Sequence, residues 1–548
     1  MNTHVSGFEH LEALSWGLLL ALVTSLPYLY GLLSAPDDRY FLGFVLNAKD
    51  QNTYFMWMTQ AADGEPLLRN LYTSIPHDGA MLSLIFLFGG LLTNLFGSLD
   101  VAYQVLRVLA VVLLGWSLWL FVATFVETRS ERRWVYLLAV FGAGLGWVWN
   151  LARLVSGDYG GVVADNDLLT RPFDLWVPEG YVFFSMLVMP HFTAAIALLL
   201  LTVRLAALGL YEDRLGLTAI AGVMCFLLSF VHPYDVLIAL GLVFGVSGLH
   251  GLRNRRIDPA MWRHALLLLL LSVGPILYNY WILNANPGMK AWLVQNKSDS
   301  PAPLSYITGY GLLLLGALGF LLSRARQLGR TLEPWQWLAV WLLILPVALY
   351  APIDFQRRLA IAASVPMAVA TGLLVLDRLQ RSDALRQGKA RLALLLLMLA
   401  IAAPTSAFHW LNSFLKTGDQ AGELFAARDT VAALQWIGTQ ATPPGQTVLA
   451  GFEVGNYVPR FTGLTTVIGS RGQTGDFANV LARTNAFYAG AQSDAEMLSL
   501  LQDHRVAWVV VADGQYPSLA DDLDERLRRL GLAQVHQSAD AGVSVYRR

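Results

Sequence analysis

Runs of about 20 residues with few polar positions recur through the first three quarters of the chain. They start near Leu11, Val101, Trp134, Tyr181, Leu215, Tyr234, Ala265, Leu304, Trp335, Leu359 and Leu392. At about 1.5 Å per residue such a run makes a helix about 30 Å long, which matches the hydrocarbon core of a bilayer. The pattern therefore predicts a mainly α, polytopic transmembrane helical bundle of about 11–12 spans over residues 1–411. A further apolar run, 80–97, is ambiguous, and we read it as an interfacial or re-entrant helix.

Beyond residue 418 the pattern changes. Helix-like stretches at 426–439, 476–489, 495–503 and 519–530 alternate with short β-rich ones at 447–450, 465–468, 507–511 and 543–546. This alternation predicts a small α/β domain over 418–548, too polar to lie in a membrane. It carries no Gly-rich dinucleotide motif, no P-loop and no metal-ligand spacing.

Composition supports the membrane reading: 55% of residues are apolar and only 14% charged, against about a quarter charged in soluble proteins. The net charge of -1 says little about partners. The one cysteine, Cys225, lies in an apolar run, which excludes an intramolecular disulfide and a thiolate cluster. The first run lacks a basic start and a small-residue cleavage site, so it reads as a retained span.

Where the charges sit is more informative. Alternate loops are Arg-rich: Arg129, Arg132 and Arg133; Arg204 and Arg214; Arg253, Arg255, Arg256 and Arg263; Arg324, Arg326 and Arg330; then Arg378, Arg381, Arg386, Lys389 and Arg391. The positive-inside rule places these in the cytoplasm. The tail is then outside, as is the long first loop of about 35–100, with the N-terminus cytoplasmic. The expected location is a bacterial inner (plasma) membrane, with the C-terminal domain extracytoplasmic.

On that topology the outer face collects Asp37, Asp38, Asp50, Asp78, Glu179, Asp235 and Asp354, with His77, His191, His232, Arg107, Arg357 and Arg358 beside them. Any one of these is as readily an interfacial residue as a functional one. Polar groups at membrane depth are costly, so their convergence on one face from separate segments points to a site. The stretch from Asp50 through Tyr54, Trp57 and Ala61 to Asp63-Gly64 repeats aromatic and apolar positions at helical spacing. Asp50 stands at the N-terminus of that helix, where the dipole favours a carboxylate; a plain cap on an amphipathic surface helix is the bland alternative.

At these residues the chain resembles the GT-C superfamily of membrane glycosyltransferases, which includes protein O-mannosyltransferases and aminoarabinose transferases. In that fold an acidic residue opens the first outer loop, a tyrosine follows, and a glycine ends the helix. Asp50, Tyr54 and Gly64 match, followed by an apolar helix and Arg107 in the next span. Bacterial members of this kind also carry Pro190-His191, His232-Pro233-Tyr234, the 354–358 Asp-Phe-Gln-Arg-Arg step and a run like 457–463 in the tail. Asp37 and Asp38 are rival placements for the family's acid. The tail lacks the Trp-Trp-Asp signature of oligosaccharyltransferases, so transfer of a preassembled oligosaccharide to asparagine is not expected.

The resemblance implies a polyprenyl-phosphate sugar as donor, a glycan, lipid or protein acceptor, and no nucleic acid. Phosphate is a good leaving group, so the enzyme needs a base for an acceptor hydroxyl and cations for the developing phosphate charge. We nominate Asp50 for the first, with Asp37 and Asp38 next. Arg357 and Arg358 suit the second because guanidinium forks match phosphate oxygens, although headgroup anchoring would also place them there. His191, His232, Asp235, Asp354, Tyr54, His77 and Arg107 complete the candidate substrate set. Two histidines and carboxylates could take a divalent cation, but no spacing is diagnostic, and no obligatory metal is expected. A secondary transporter would show two matching halves, and none is found. An O-antigen polymerase or ligase would place its key residues in later outer loops. A non-enzymatic glycan-binding scaffold would not need buried Arg and His.

Overall fold

The computed structural model describes residues 6–157, 170–330, 332–382, 388–440, 445–512, 519–539 and 542–548. Arg386, one of the basic positions used to assign sidedness, lies outside the described residues. Among the described residues seven helices are long and apolar enough to cross a membrane: Gly7–Leu33, Leu99–Ala123, Pro190–Tyr211, Asp235–Asn254, Pro259–Ala285, Pro303–Arg324 and Gln356–Arg381. Two more pairs, Arg129–Phe141 with Gly146–Val155 and Lys389–Ala402 with Pro404–Gly418, pass the same test but are each bent by 49°. Leu215–Ser229, Trp335–Leu349 and Leu84–Phe96 are shorter apolar helices. Ten of the eleven predicted span starts fall on or just before one of these elements, while Tyr181 precedes the short helix Val182–Val188, nine residues ahead of Pro190–Tyr211. The protein is a multi-pass membrane protein. The ambiguous run 80–97 becomes the 13-residue helix Leu84–Phe96. At about 20 Å it is shorter than the hydrocarbon core.

The chain divides into two compact units. One comprises Met1–Pro27, Arg107–Leu277 and Ser298–Ser413; the other comprises Tyr28–Leu106, Tyr278–Lys297 and Phe414–Arg548. In the first unit Pro190–Tyr211 packs along Leu215–Ser229, and Pro303–Arg324 along Ser364–Arg381. The bends arise from the sequence. Gly142-Ala-Gly-Leu-Gly146 interrupts one helix and Ala403-Pro404 the other, and a break inside lipid is tolerated only where protein takes up the freed backbone groups. Here each break serves the other. Ala143 N–H donates to Ala402 O (2.7 Å) and Leu145 N–H to Thr308 O (2.8 Å). Trp147 N–H donates to Thr405 Oγ1 (3.1 Å), and the Asp174 Oδ2 accepts from Gly144 N–H (3.0 Å) and Gly146 N–H (3.1 Å).

The second unit holds the sheets. β1 (Arg39–Phe41) pairs antiparallel with β2 (Phe425–Ala427), with Arg39 opposite Ala427. A five-stranded sheet has the order β4-β3-β5-β7-β6, formed by β3 (Thr447–Leu449), β4 (Thr465–Thr466), β5 (Val506–Ala512), β6 (Ala533–Gln537) and β7 (Val543–Arg547). β3 runs parallel to β4 and β5, while β7 is antiparallel to β5 and β6. β5 reads as a continuous apolar run because both its faces are covered. Leu449, Val509 and Tyr546 from the sheet pack with Phe487, Leu500 and Leu527 from the helices. The helix Asp494–Asp503 starts where a capping box of Ser493 and Glu496 satisfies its first amides.

Candidate active site

In the helical unit five elements bring charged and aromatic groups together. The 3-10 turn Pro178–Gly180 presents Glu179, which is 3% exposed. A second 3-10 turn, Gln356–Ala360, presents Arg357 and Arg358. Arg358 Nη1 lies 3.6 Å from Glu179 Oε1, and the two turns are also joined by Ala362 N–H donating to Glu179 O (2.9 Å). Ala362 holds φ at 55°, a left-handed conformation that an alanine adopts only under constraint. The loop carrying the arginines is pinned from the other side: Ser298 N–H donates to Asp354 O (2.7 Å), and Arg357 N–H donates to Ser298 O (3.0 Å).

The turn His232-Pro-Tyr-Asp235 starts the helix Asp235–Asn254. Proline fixes its φ, so the turn folds His232 back onto the carboxylate three residues on. His232 Nδ1 and Asp235 Oδ1 are 2.6 Å apart, and both side chains are buried. Asp235 Oδ2 is buried and makes no hydrogen bond among the described residues, while Glu179 and Arg358 are within electrostatic reach of the carboxylate. His191, at the N-terminus of Pro190–Tyr211, places its ring 6.3 Å from that of His232. Phe192 meets His232 edge-on at 5.3 Å and also lies 5.9 Å beneath the Arg358 guanidinium. Arg357 stacks at 4.9 Å on Trp176.

The structure therefore brings His191, His232, Asp235, Arg357 and Arg358 into one cluster. Asp354 contributes its carbonyl as the loop pin, and its side chain is exposed. Arg107 lies elsewhere in the same unit. It is 1% exposed and donates to Thr24 Oγ1 (3.2 Å) and Ser25 Oγ (2.7 Å), a tie between two helices. Glu179 appeared in the sequence only as one outer-face acid, and Trp176 gave no signal at all. A glutamate between Pro178 and Gly180 in apolar surroundings was the available clue. Among the described residues no group of three or more His, Cys, Asp or Glu side chains could hold a metal ion.

The remaining candidates belong to the second unit. Asp50 is exposed in the first turn of the helix Ala48–Ala62; the cap position is Asn47, at φ 53°. The carboxylate still faces the positive end of the helix dipole. Tyr54 stacks on Phe86 at 5.4 Å, and Trp57 lies 4.9 Å from the same ring. The aromatic face of this helix is thus covered by Leu84–Phe96. His77 uses both ring nitrogens: Nε2 accepts from Asn70 N–H (3.1 Å) and Nδ1 donates to Ile75 O (2.7 Å). Burial lowers its pKa, in keeping with a neutral ring. The carbonyls of Asp37 and Asp38 accept from Arg428 Nε (2.8 Å) and Arg428 N–H (2.9 Å), at the start of β1.

No protein-family model matches the chain, and no curated protein sequence matches it. Solved structures do. The apo oligosaccharyltransferase of Archaeoglobus fulgidus superposes with a TM-score of 0.54 at 14% identity, covering 92% of this chain and 70% of that one. The same enzyme tethered to an acceptor peptide gives 0.52, with 92% and 69% covered at 14% identity. ArnT from Cupriavidus metallidurans in the apo state gives 0.50 at 13% identity, covering 98% of both chains. The chain shares the fold of these solved structures, the GT-C fold that the resemblance implied.

Proposed function

We propose that this chain moves a sugar from a polyprenyl-phosphate donor to an acceptor hydroxyl on the extracytoplasmic face of a bacterial plasma membrane, where the tail also resides. The observation that carries this reading is the pair Arg357 and Arg358, held on a doubly pinned 3-10 turn among His191, His232, Glu179 and Asp235 in a protein of GT-C fold. Guanidinium forks held in place bind a phosphate without reorganising as its charge grows. In the reaction the acceptor O–H gives its proton to a carboxylate, for which we nominate Asp50. The acceptor oxygen bonds to the sugar C1, the bond from C1 to phosphate breaks, and the lipid phosphate leaves with the electron pair. Such a single displacement inverts the anomeric centre. It needs no obligatory metal, so full turnover in excess chelator is expected, and loss restored by Mg²⁺ or Mn²⁺ would reject that part.

The test is direct. Purified protein with Arg357→Ala and Arg358→Ala is expected to bind a polyprenyl phosphate roughly tenfold or more weakly, since charge-assisted hydrogen bonds are lost. Unchanged binding would sink the phosphate assignment. Asp50→Asn is expected to abolish transfer while leaving that binding intact. If it transfers normally, Asp37 and Asp38 are the next carboxylates to change.

A further inference from the structure

Asp50 is exposed, and the residues on both sides of it are held by hydrogen bonds. Lys49 O accepts from Asn456 Nδ2 (3.1 Å), and Lys49 Nζ reaches Glu453 (2.7 Å). Gln51 Oε1 accepts from Tyr103 Oη (2.6 Å). Asn52 Nδ2 donates to Asn456 Oδ1 (2.8 Å), and Gln473 Nε2 donates to Thr53 Oγ1 (3.4 Å). Most of these partners come from the tail, and one of its residues reaches furthest. Arg460, on the short helix Val458–Thr462, has a fully buried side chain. Its Nη1 donates to Leu42 O (2.8 Å) and Asn52 Oδ1 (3.2 Å), and its Nη2 is paired with Asp100, which also receives the Tyr40 hydroxyl. The guanidinium lies 3.8 Å over the Phe55 ring and 5.3 Å from Phe44. Its own carbonyl accepts from Thr59 Oγ1 (3.3 Å).

We propose that Arg460 is a positioning residue for Asp50, fixing the helix Ala48–Ala62 through its simultaneous grip on Leu42, Asn52, Phe55 and Asp100. One planar fork satisfies groups from three separate stretches of chain, the loop before the helix, the helix and the start of Leu99–Ala123. A lysine keeps the charge but is a single point and cannot serve all of them. The inference rests on Asp50 acting as the proposed base, and it gives the tail a role that its sequence left open.

The experiment uses the full chain in nanodiscs, with Arg460→Lys, Arg460→Ala and Asn52→Ala set beside Asp50→Asn. Amide hydrogen exchange over residues 48–62 is expected to speed up roughly tenfold or more in Arg460→Lys, because charged hydrogen bonds are lost there. Exchange in β5 and β7 stays as in the parent. Transfer falls in kcat, with KM for a polyprenyl-phosphate sugar unchanged. Asn52→Ala removes the Arg460 and Asn456 hydrogen bonds at that one position while leaving Arg460 on Leu42, Phe55 and Asp100. It is expected to give a smaller change in the same direction, which covers the case in which Arg460→Ala does not fold. Unchanged exchange over 48–62 in both Arg460→Lys and Asn52→Ala overturns the proposal, as does a rise in KM with kcat intact. Exchange is read without turnover, so it reports on Arg460 even where Asp50→Asn shows that Asp50 is not the base.

Discussion

His232 Nδ1 and Asp235 Oδ1 form a buried hydrogen bond, and the second carboxylate oxygen has no hydrogen-bond partner among the described residues. A buried group left without its partner costs about 1–3 kcal/mol. Asp235→Ala is therefore expected to lower stability by about that amount, and Asp235→Asn, which keeps an acceptor for His232, by less. Thermal unfolding in detergent measures both. A different balance governs two histidines of the second unit. His504 Nδ1 meets Ser74 Oγ at 2.6 Å, and burial, with Arg483 nearby, lowers its pKa, as burial does for His77. A histidine whose folded pKa is depressed binds its proton more readily unfolded, so its stabilising effect is complete above about pH 6.5 and lost as pH falls through the folded value. The unfolding temperature is expected to drop on acidification below that point. His77→Gln with His504→Gln should flatten the slope; an unchanged slope would show that other groups set it.

At the scale of elements, Leu84–Phe96 packs on Ala48–Ala62 through small residues. A Cβ on Gly90 would lie 2.5 Å from Ala61 Cβ and 2.6 Å from the Ala61 carbonyl carbon. Backbone cannot yield as a side-chain tip can, so Gly90→Ala is expected to cost about 1–3 kcal/mol by forcing the helices apart. Faster exchange in both helices with the sheet unaffected would locate the damage. Helices and buried strands such as these were legible in the sequence because periodicity reports burial. Thr447, Val506 and Val543 begin strands where the β-rich stretches predicted them. β6, Ala533–Gln537, was missed because its polar alternation on an edge looks like loop, and β1 and β2 are only three residues each. The bends at 142–145 and 403 carried Gly and Pro signals, but their mutual hydrogen bonds are tertiary and leave no local trace. The candidate site divides in the same way. Residue types and the segments that carry them were readable, whereas the joining of Glu179 to Arg358 depends on two 3-10 turns and a strained Ala362, none of which has a periodic signature.

At the scale of the whole molecule, what remains to be tested is which side of the membrane each part faces. On the reading that Leu84–Phe96, the shortest of the three short apolar helices, does not cross, the first long loop is expected to begin and end on one side. Among the described residues the remaining apolar elements are odd in number if each bent pair and each of the other two short apolar helices crosses once, which would send the two ends of the chain to opposite faces. The Arg-rich loops are then expected on the cytoplasmic face, because cytoplasmic loops keep Lys and Arg. Cys225, the one native cysteine, is buried, so introduced cysteines can be read against a quiet background. Ser493→Cys in the tail and Asp37→Cys in the first loop are expected to react with a membrane-impermeant maleimide on intact spheroplasts. Arg255→Cys, in one of the Arg-rich loops, is expected to react only after permeabilisation. Should Ser493→Cys need permeabilisation while Asp37→Cys does not, one apolar element has been counted on the wrong side. Should both need it, Asp50 lies in the cytoplasm, and the proposed donor would have to be drawn from the opposite leaflet.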